Sequence, residues 1–439
     1  MSREIKFEVE HRKCIKPSTP TPPQLKTLKL SLLDQLSPNI HGNMTLFYPH
    51  TNTTTLLDFS TKSQLLQTSL SQTLTRFYPI AGRLHDAATV HCNDHGALFI
   101  ESRTNASLSD ILTPPNFDTL QCLLPSADTS MLLVRFTSFR CGATALTISL
   151  SHKIADIATV IALLKTWTAA CAGATPPELP ELALGAALFP PREINPGMSA
   201  SVNTVSSEKF TSRRFVFEAS KVRELKEKVK SALGEGEGSV VFEPSRVEVV
   251  LALIWKCALS ASRSKTAPFK RSVLFQAVNL RPRMDPAVPD VAMGNFVWAL
   301  AVTAEEERHV ELHVLVRRMR EGMREFVETK AERLKEDGAF GVVMESLKER
   351  GEVISSSNSV VVYKCSSWCK FPLLKVDFGW GEAVWMCSVN KMVSNTIALM
   401  DTRDGHGVEA FVTLDHQDMT FFEQHQDLLH YALLNPTVI

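Results

Sequence analysis

A chain of 439 residues, 44% hydrophobic and 21% charged, is too long for one ordinary core and too apolar for large-scale disorder, so two domains are expected. Lysine plus arginine and aspartate plus glutamate stand at 47 each. Without a net field, nucleic acid and anionic membranes are excluded as main partners and a small molecule is favoured. The amino terminus is charged from its third residue and no stretch has the unbroken apolar length of a membrane span, which predicts a cytosolic protein. Nine cysteines, odd in number and without a regular frame, fit reduced thiols in that compartment.

Residues 14–24 are too proline-rich for helix or central strand, so core elements are expected from near Leu28. Leu65, Leu66, Leu70 and Leu74 recur at helical spacing within 62–76, and Pro79 stops that helix. FYPIAGRL, ending at Leu84, is a turn into a strand. Residues 131–139 and 144–150 alternate about Cys141 and Gly142 as a hairpin. The second strand runs into SHKIAD, 151–156, and periodicity over 157–172, closed by Gly173 and two prolines, predicts a helix. His152 therefore sits where a strand gives way to a helix, with Asp156 at the helix cap.

Proline, glycine and serine then accumulate, marking 174–213 as a crossover linker between a first domain, 1–173, and a second, 214–439. The second domain opens with a strand at 214–217, a basic helix at 220–233 and the loop GEGEG, which no helix follows at phosphate-cradle spacing. Ser245 and Glu248 form a capping box before an apolar helix through Trp255. A long charged helix is expected over 304–335, ended by Gly338, and strands near 360–364, 383–388 and 407–414.

A histidine at a strand end facing a cleft can take a proton from a substrate hydroxyl near neutral pH. Alone, His-x-x-x-Asp is a pattern chance produces often, and a structural histidine beside a helix cap satisfies it as well. Two further blocks accompany it: AVNLRPRMDPAVPDVAMGN at 277–295 and SSWCKFPLLKVDFGWG at 366–381. Together with LSLLDQLSP from Leu30 and FYPIAGRL from Phe77, they make the chain resemble, over nearly its whole length, the BAHD acyltransferases. That plant family moves acyl groups from coenzyme A to alcohols or amines.

The resemblance implies a chloramphenicol acetyltransferase-like α/β fold. Two similar-sized domains, each a mixed β-sheet with flanking helices, would hold a substrate tunnel at their interface with His152 at its middle. It implies that His152 is the general base and that Asp156 points away from substrate into a salt bridge with Arg281, Arg283 being a substitute partner. Asp377 of DFGWG is often named beside the histidine as catalytic, although a structural turn on the coenzyme A side is its favoured reading. Ser366 and Trp368 hold positions where relatives carry a hydroxyl and an indole near the reacting carbonyl. They are candidates to stabilise an oxyanion, a core aromatic being the equal alternative for Trp368.

Lys256, Arg263 and Lys270 are candidates for the phosphates of coenzyme A, a solvated basic surface being the simpler reading of each. No cofactor is bound permanently on this reading. Acyl-CoA, acetyl-CoA above all, is the co-substrate, a small-molecule alcohol is the acceptor, and the protein is a monomer. His91, Cys92 and His95 lack a second ligand pair at zinc spacing, and Cys365 and Cys369 lack a partner pair, so no metal site is expected. The glycine that usually follows the motif aspartate is Ile157 here, as in the branch that acetylates alkaloids. An alkaloid hydroxyl is therefore the expected acceptor. A terpenoid or phenylpropanoid alcohol, an amine, and an inactive metabolite-binding relative are the alternatives.

Overall fold

The segments LLVRFTS and TALTISLS are buried at nearly every position, the pattern of strands covered on both faces. They form the expected hairpin, Leu132–Ser138 with Thr144–Ser151. The computed structural model describes residues 4–50, 57–126, 128–176, 178–194, 210–234, 242–262, 269–334, 338–355, 360–389 and 394–439. Among these, the hairpin lies within a six-stranded sheet ordered Phe7–Ile15, Ala97–Thr104, Leu132–Ser138, Thr144–Ser151, His41–Tyr48 and Trp385–Cys387. It is mixed: Ala97–Thr104 runs parallel to Leu132–Ser138 and the other pairs are antiparallel. The helices Phe59–Arg76 and Ile157–Cys171 pack on each other, and the Trp167 Nε1–H donates to Leu66 O and Ser69 Oγ at 3.1 and 3.0 Å.

The second sheet has seven strands, ordered Val297–Ala304, Ser272–Asn279, Val361–Ser367, Thr396–Asp401, Val408–Asp415, Phe210–Phe217 and Leu433–Leu434. It too is mixed, since Val361–Ser367 runs parallel to both of its neighbours. The capping box at Ser245 and Glu248 opens the helix Arg246–Ala261. That helix is apolar almost all round because the helices Ala219–Leu233, Leu312–Glu325 and His416–Phe422 surround it. Two α/β units of similar size result, each with a mixed sheet and flanking helices.

Two expectations shift. The charged helix does not begin at 304: Ala304 ends a strand, a 3-10 turn occupies Glu307–Val310, and the α-helix covers Leu312–Glu325 before a π-helical stretch at Phe326–Ala331. The reason is local. Val297–Ala304 alternates buried and accessible positions with a period of two, and the amides of Glu305 and Glu306 are satisfied by His309 Nδ1, which closes the turn before the helix starts.

The second shift concerns the boundary at 213. Trp385–Cys387 belongs to the first sheet, pairing with Phe47, Leu46 and Thr45, so the chain returns to the first unit after DFGWG. The two units are also riveted by a buried cluster. Arg214 binds both oxygens of Glu409 at 2.8 and 3.0 Å, and the Trp385 Nε1–H donates to the same carboxylate at 3.1 Å. The linker contributes the short helix Leu184–Leu188, while residues 195–209, part of the expected linker, lie outside the described residues.

Candidate active site

The strand Thr144–Ser151 ends where its last residue donates its amide to Met131 O, and the next residue, His152, donates its own amide to Ile40 O at 2.8 Å. Its carbonyl accepts from Asn295 Nδ2 at 2.8 Å. The main chain of His152 is thus held from both units, and its Nδ1 is buried with no hydrogen-bond partner among the described residues. Asp156 caps the helix Ile157–Cys171, accepting from Thr159 N at 3.0 Å. The same carboxylate accepts from Arg281 Nη1 and Nη2 at 2.6 and 3.1 Å and from Phe296 N at 3.0 Å. With side chains 1% and 3% exposed, Arg281 and Asp156 form a buried bidentate pair joining the two units. Arg283 is not the partner: its Nη1 donates to Asn279 O.

A second buried group supports the first. Asp34 accepts from Ser31 N and Oγ and from Asn295 N and Nδ2, all within 2.6–3.1 Å. Burial pushes its carboxyl above the ordinary aspartate range, and the hydrogen bonds from Ser31 and Asn295 oppose that rise. Lys153, also buried, donates Nζ to Gln35 O at 2.8 Å; burial lowers its pKa and Asp34 works against the fall.

These elements enclose a cavity of about 240 Å³ between the units. Its wall includes His152 and Ile157 from the first unit and Asn279, Ser366 and Trp368 from the second. Much of the remainder is apolar, with Met44, Ile148, Leu150 and Phe371 among its residues, a surface that suits a bulky neutral carbon skeleton. Ile157 takes an ordinary backbone conformation as the first helical residue. The freedom of the missing glycine is not required there, and the isoleucine instead adds to the wall.

A model of the Transferase family matches residues 5–429. The chain is 35% identical to BAHD acyltransferase BIA1 of Arabidopsis thaliana, over 99% of this chain and 100% of that protein. The chain belongs to the BAHD acyltransferase family. This acyltransferase is also 35% identical to limonoid 1-O-acetyltransferase of Citrus sinensis, over 97% of this chain and 98% of the relative. It is 36% identical to vinorine synthase of Rauvolfia serpentina, over 92% and 93% respectively. The crystal structure of vinorine synthase superposes with a TM-score of 0.83 over 99% of this chain and all of that one.

The remaining sequence candidates divide. Ser366 and Trp368 face the same cavity as His152. Asp377 is not among the cavity residues: its Oδ1 accepts from Gly379 N and Gly381 N at 2.7 and 2.9 Å. The two glycines, both at φ +104, need that left-handed conformation to fold the loop back on its own aspartate. Phe378 and Trp380 then pack against Tyr48, Phe136 and Trp167 of the first unit. Asp377 therefore has no place beside His152 in the cavity wall, and its Oδ1 is taken up inside a turn.

Lys256 lies elsewhere. It stands 4.0 Å from both Glu311 and Asp427 and lines a separate, smaller depression. Lys270 is exposed and absent from the cavity wall, while Arg263 lies outside the described residues. Among described residues, no group of three or more metal-ligating side chains is assembled, and no helix is long and apolar enough to cross a membrane. Sequence reasoning missed Asp34, Lys153, Asn279 and Asn295, although the capping signature of Ser31 and Asp34 and the Asn-Leu-Arg block contained the signals.

Proposed function

We infer that this acyltransferase moves an acetyl group from acetyl-CoA to a hydroxyl of a bulky polycyclic metabolite, with His152 as general base, acting as a cytosolic monomer. One observation carries the reading. His152 lines the cavity between the units while the carboxylate four residues on is fully committed to Arg281, Thr159 and Phe296. The imidazole is then the group free to accept a proton, and Asp156 is a scaffold and not a triad member.

The acceptor oxygen attacks the thioester carbonyl carbon as its proton passes to His152. The carbonyl pair moves onto oxygen, and Ser366 and Trp368, which line the same cavity, are the groups taken to stabilise it. Collapse of the tetrahedral intermediate breaks the carbon–sulfur bond, and the thiolate takes the proton back from the imidazolium. The thioester is already activated, so no acyl-enzyme is needed and sequential kinetics are expected.

Replacing His152 with Ala is expected to lower kcat by about 10²- to 10⁴-fold with the thermal melt unchanged. Product is followed by mass spectrometry with acetyl-CoA and benzoyl-CoA against alkaloid, limonoid and amine acceptors. Unchanged turnover in the variant, or ping-pong kinetics with a trapped acyl-enzyme, refutes the mechanism. The limonoid and vinorine synthase relatives stand at nearly equal identity, so both acceptor classes belong in the panel, and the mostly apolar wall suits either as a neutral skeleton.

A further inference from the structure

We propose that Asn279 donates a hydrogen bond from Nδ2 to the acyl carbonyl oxygen, as a further donor for the oxyanion beside Ser366 and Trp368. The assignment rests on the acyl-transfer reading above. It begins with an orientation that chemistry alone decides. Asn279 Oδ1 accepts from Arg281 N at 3.1 Å. A backbone N–H can only donate, so the amide oxygen must face it and the NH₂ group must turn the other way.

Position supplies the second step. Asn279 ends the strand Ser272–Asn279, and Ala277 and Asn279, two residues apart and therefore on one face, both line the cavity that contains His152. The neighbouring strand Val361–Ser367 runs parallel, with Gln276 opposite Cys365. Carrying that register three further residues, from 276 to 279 and from 365 to 368, sets Asn279 level with Trp368. The ends of two parallel strands thus bring both side chains to the same wall. The main chain of Asn279 is pinned as well, since its carbonyl accepts from Arg283 Nη1 at 2.6 Å.

A donor fixed in this way needs no reorganisation when negative charge develops on the carbonyl oxygen, and that is the condition for effective oxyanion stabilisation. The same short turn also carries Arg281, which holds Asp156 and through it the loop of His152. One segment of the second unit therefore presents a carbonyl donor and anchors the base of the first.

The paired variants Asn279→Asp and Asn279→Ala separate donor from scaffold. A carboxylate at 279 still accepts the Arg281 amide but offers no proton and repels an oxyanion. The donor role predicts that Asn279→Asp lowers kcat by about 10²- to 10³-fold, at least as much as Asn279→Ala, with KM for acyl-CoA little changed and the melt retained. A purely structural role predicts the reverse order, with Asp tolerated and Ala harmful, and that result overturns the proposal.

A second readout is independent of turnover. The infrared stretch of acetyl-CoA labelled with ¹³C at its carbonyl, bound without acceptor, is expected at lower frequency in the wild type than in Asn279→Ala. Equal frequencies overturn the proposal even if one variant folds poorly. His152→Ala is measured alongside. If it is active while Asn279→Asp is not, the base assignment falls and the carbonyl donor stands; if it is inactive while Asn279→Asp is fully active, only the donor falls.

Discussion

Replacing Asp156 with Asn is expected to act chiefly on stability, because the carboxylate is the counter-charge of a guanidinium with a side chain only 1% exposed. Without it, Arg281 keeps Ala292 O at 2.8 Å and a long contact to Gly294 O at 3.4 Å, and its Nε already lacks a partner among the described residues. Leaving one member of a buried pair uncompensated costs about 3–5 kcal/mol. At roughly 2–4 °C per kcal/mol for a domain of 150–250 residues, the melt should fall by about 6–20 °C. The double variant Asp156→Asn with Arg281→Met should regain stability relative to the single one, since no charge is left stranded. Its kcat should nevertheless fall below that of the wild type, because the Asp156–Arg281 tie between the His152 loop and the second unit is gone. Thermal melts by circular dichroism and product formation by mass spectrometry read both effects. A single variant that melts like the wild type but loses kcat by orders of magnitude would place Asp156 in the chemistry and refute the scaffold argument.

Two further perturbations test neighbouring arguments. Burial acts to raise the Glu248 carboxyl, but Arg320, with both nitrogens at 2.6 Å, and Ser245 outweigh it and hold the pKa below the ordinary 4.5. A depressed carboxyl stabilises the fold above 4.5 and loses that contribution as pH falls through the folded-state value. Urea unfolding at pH 7 and pH 3 should therefore show Glu248→Gln destabilised at neutral pH, with the gap to wild type narrowing in acid; a constant gap contradicts it. Gly294 sits at φ +125, and a Cβ there would lie 3.3 Å from Asp34 Oδ2. Gly294→Ala is expected to cost about 1–3 kcal/mol and to lower kcat by displacing Asn295 from the His152 carbonyl. Gly341→Ala, in the helix Gly338–Ser355 with open space at its Cβ, is the control and should stabilise by about 0.5–1 kcal/mol. Equal melts for the two variants contradict the strain argument.

Local patterns carried much of the fold. The hairpin before His152, the helix capped by Asp156 and the capping box at Ser245 and Glu248 each rest on contacts between residues close in sequence. The pairing of Asp156 with Arg281, implied by the family resemblance, is present in the structure. The helix over 304–335 was misread where charge periodicity concealed a strand end and a tight turn. Charge along a segment reports solvent exposure in strand, turn and helix alike.

By itself, the sequence determined that a histidine stands at a strand-to-helix junction in a chain long enough for two units, because the periods of strands and helices and the chemistry of caps are written in neighbouring residues; the acyltransferase reading came from the resemblance of its separate blocks to a known family. Tertiary structure alone decided which distant groups meet there. Trp385–Cys387 crosses to the first sheet, Lys256 lies among Glu311 and Asp427, and Asn279 arrives at the cavity wall. These placements depend on strand register and packing between segments far apart in the chain, for which side-chain spacing along one segment holds no signal.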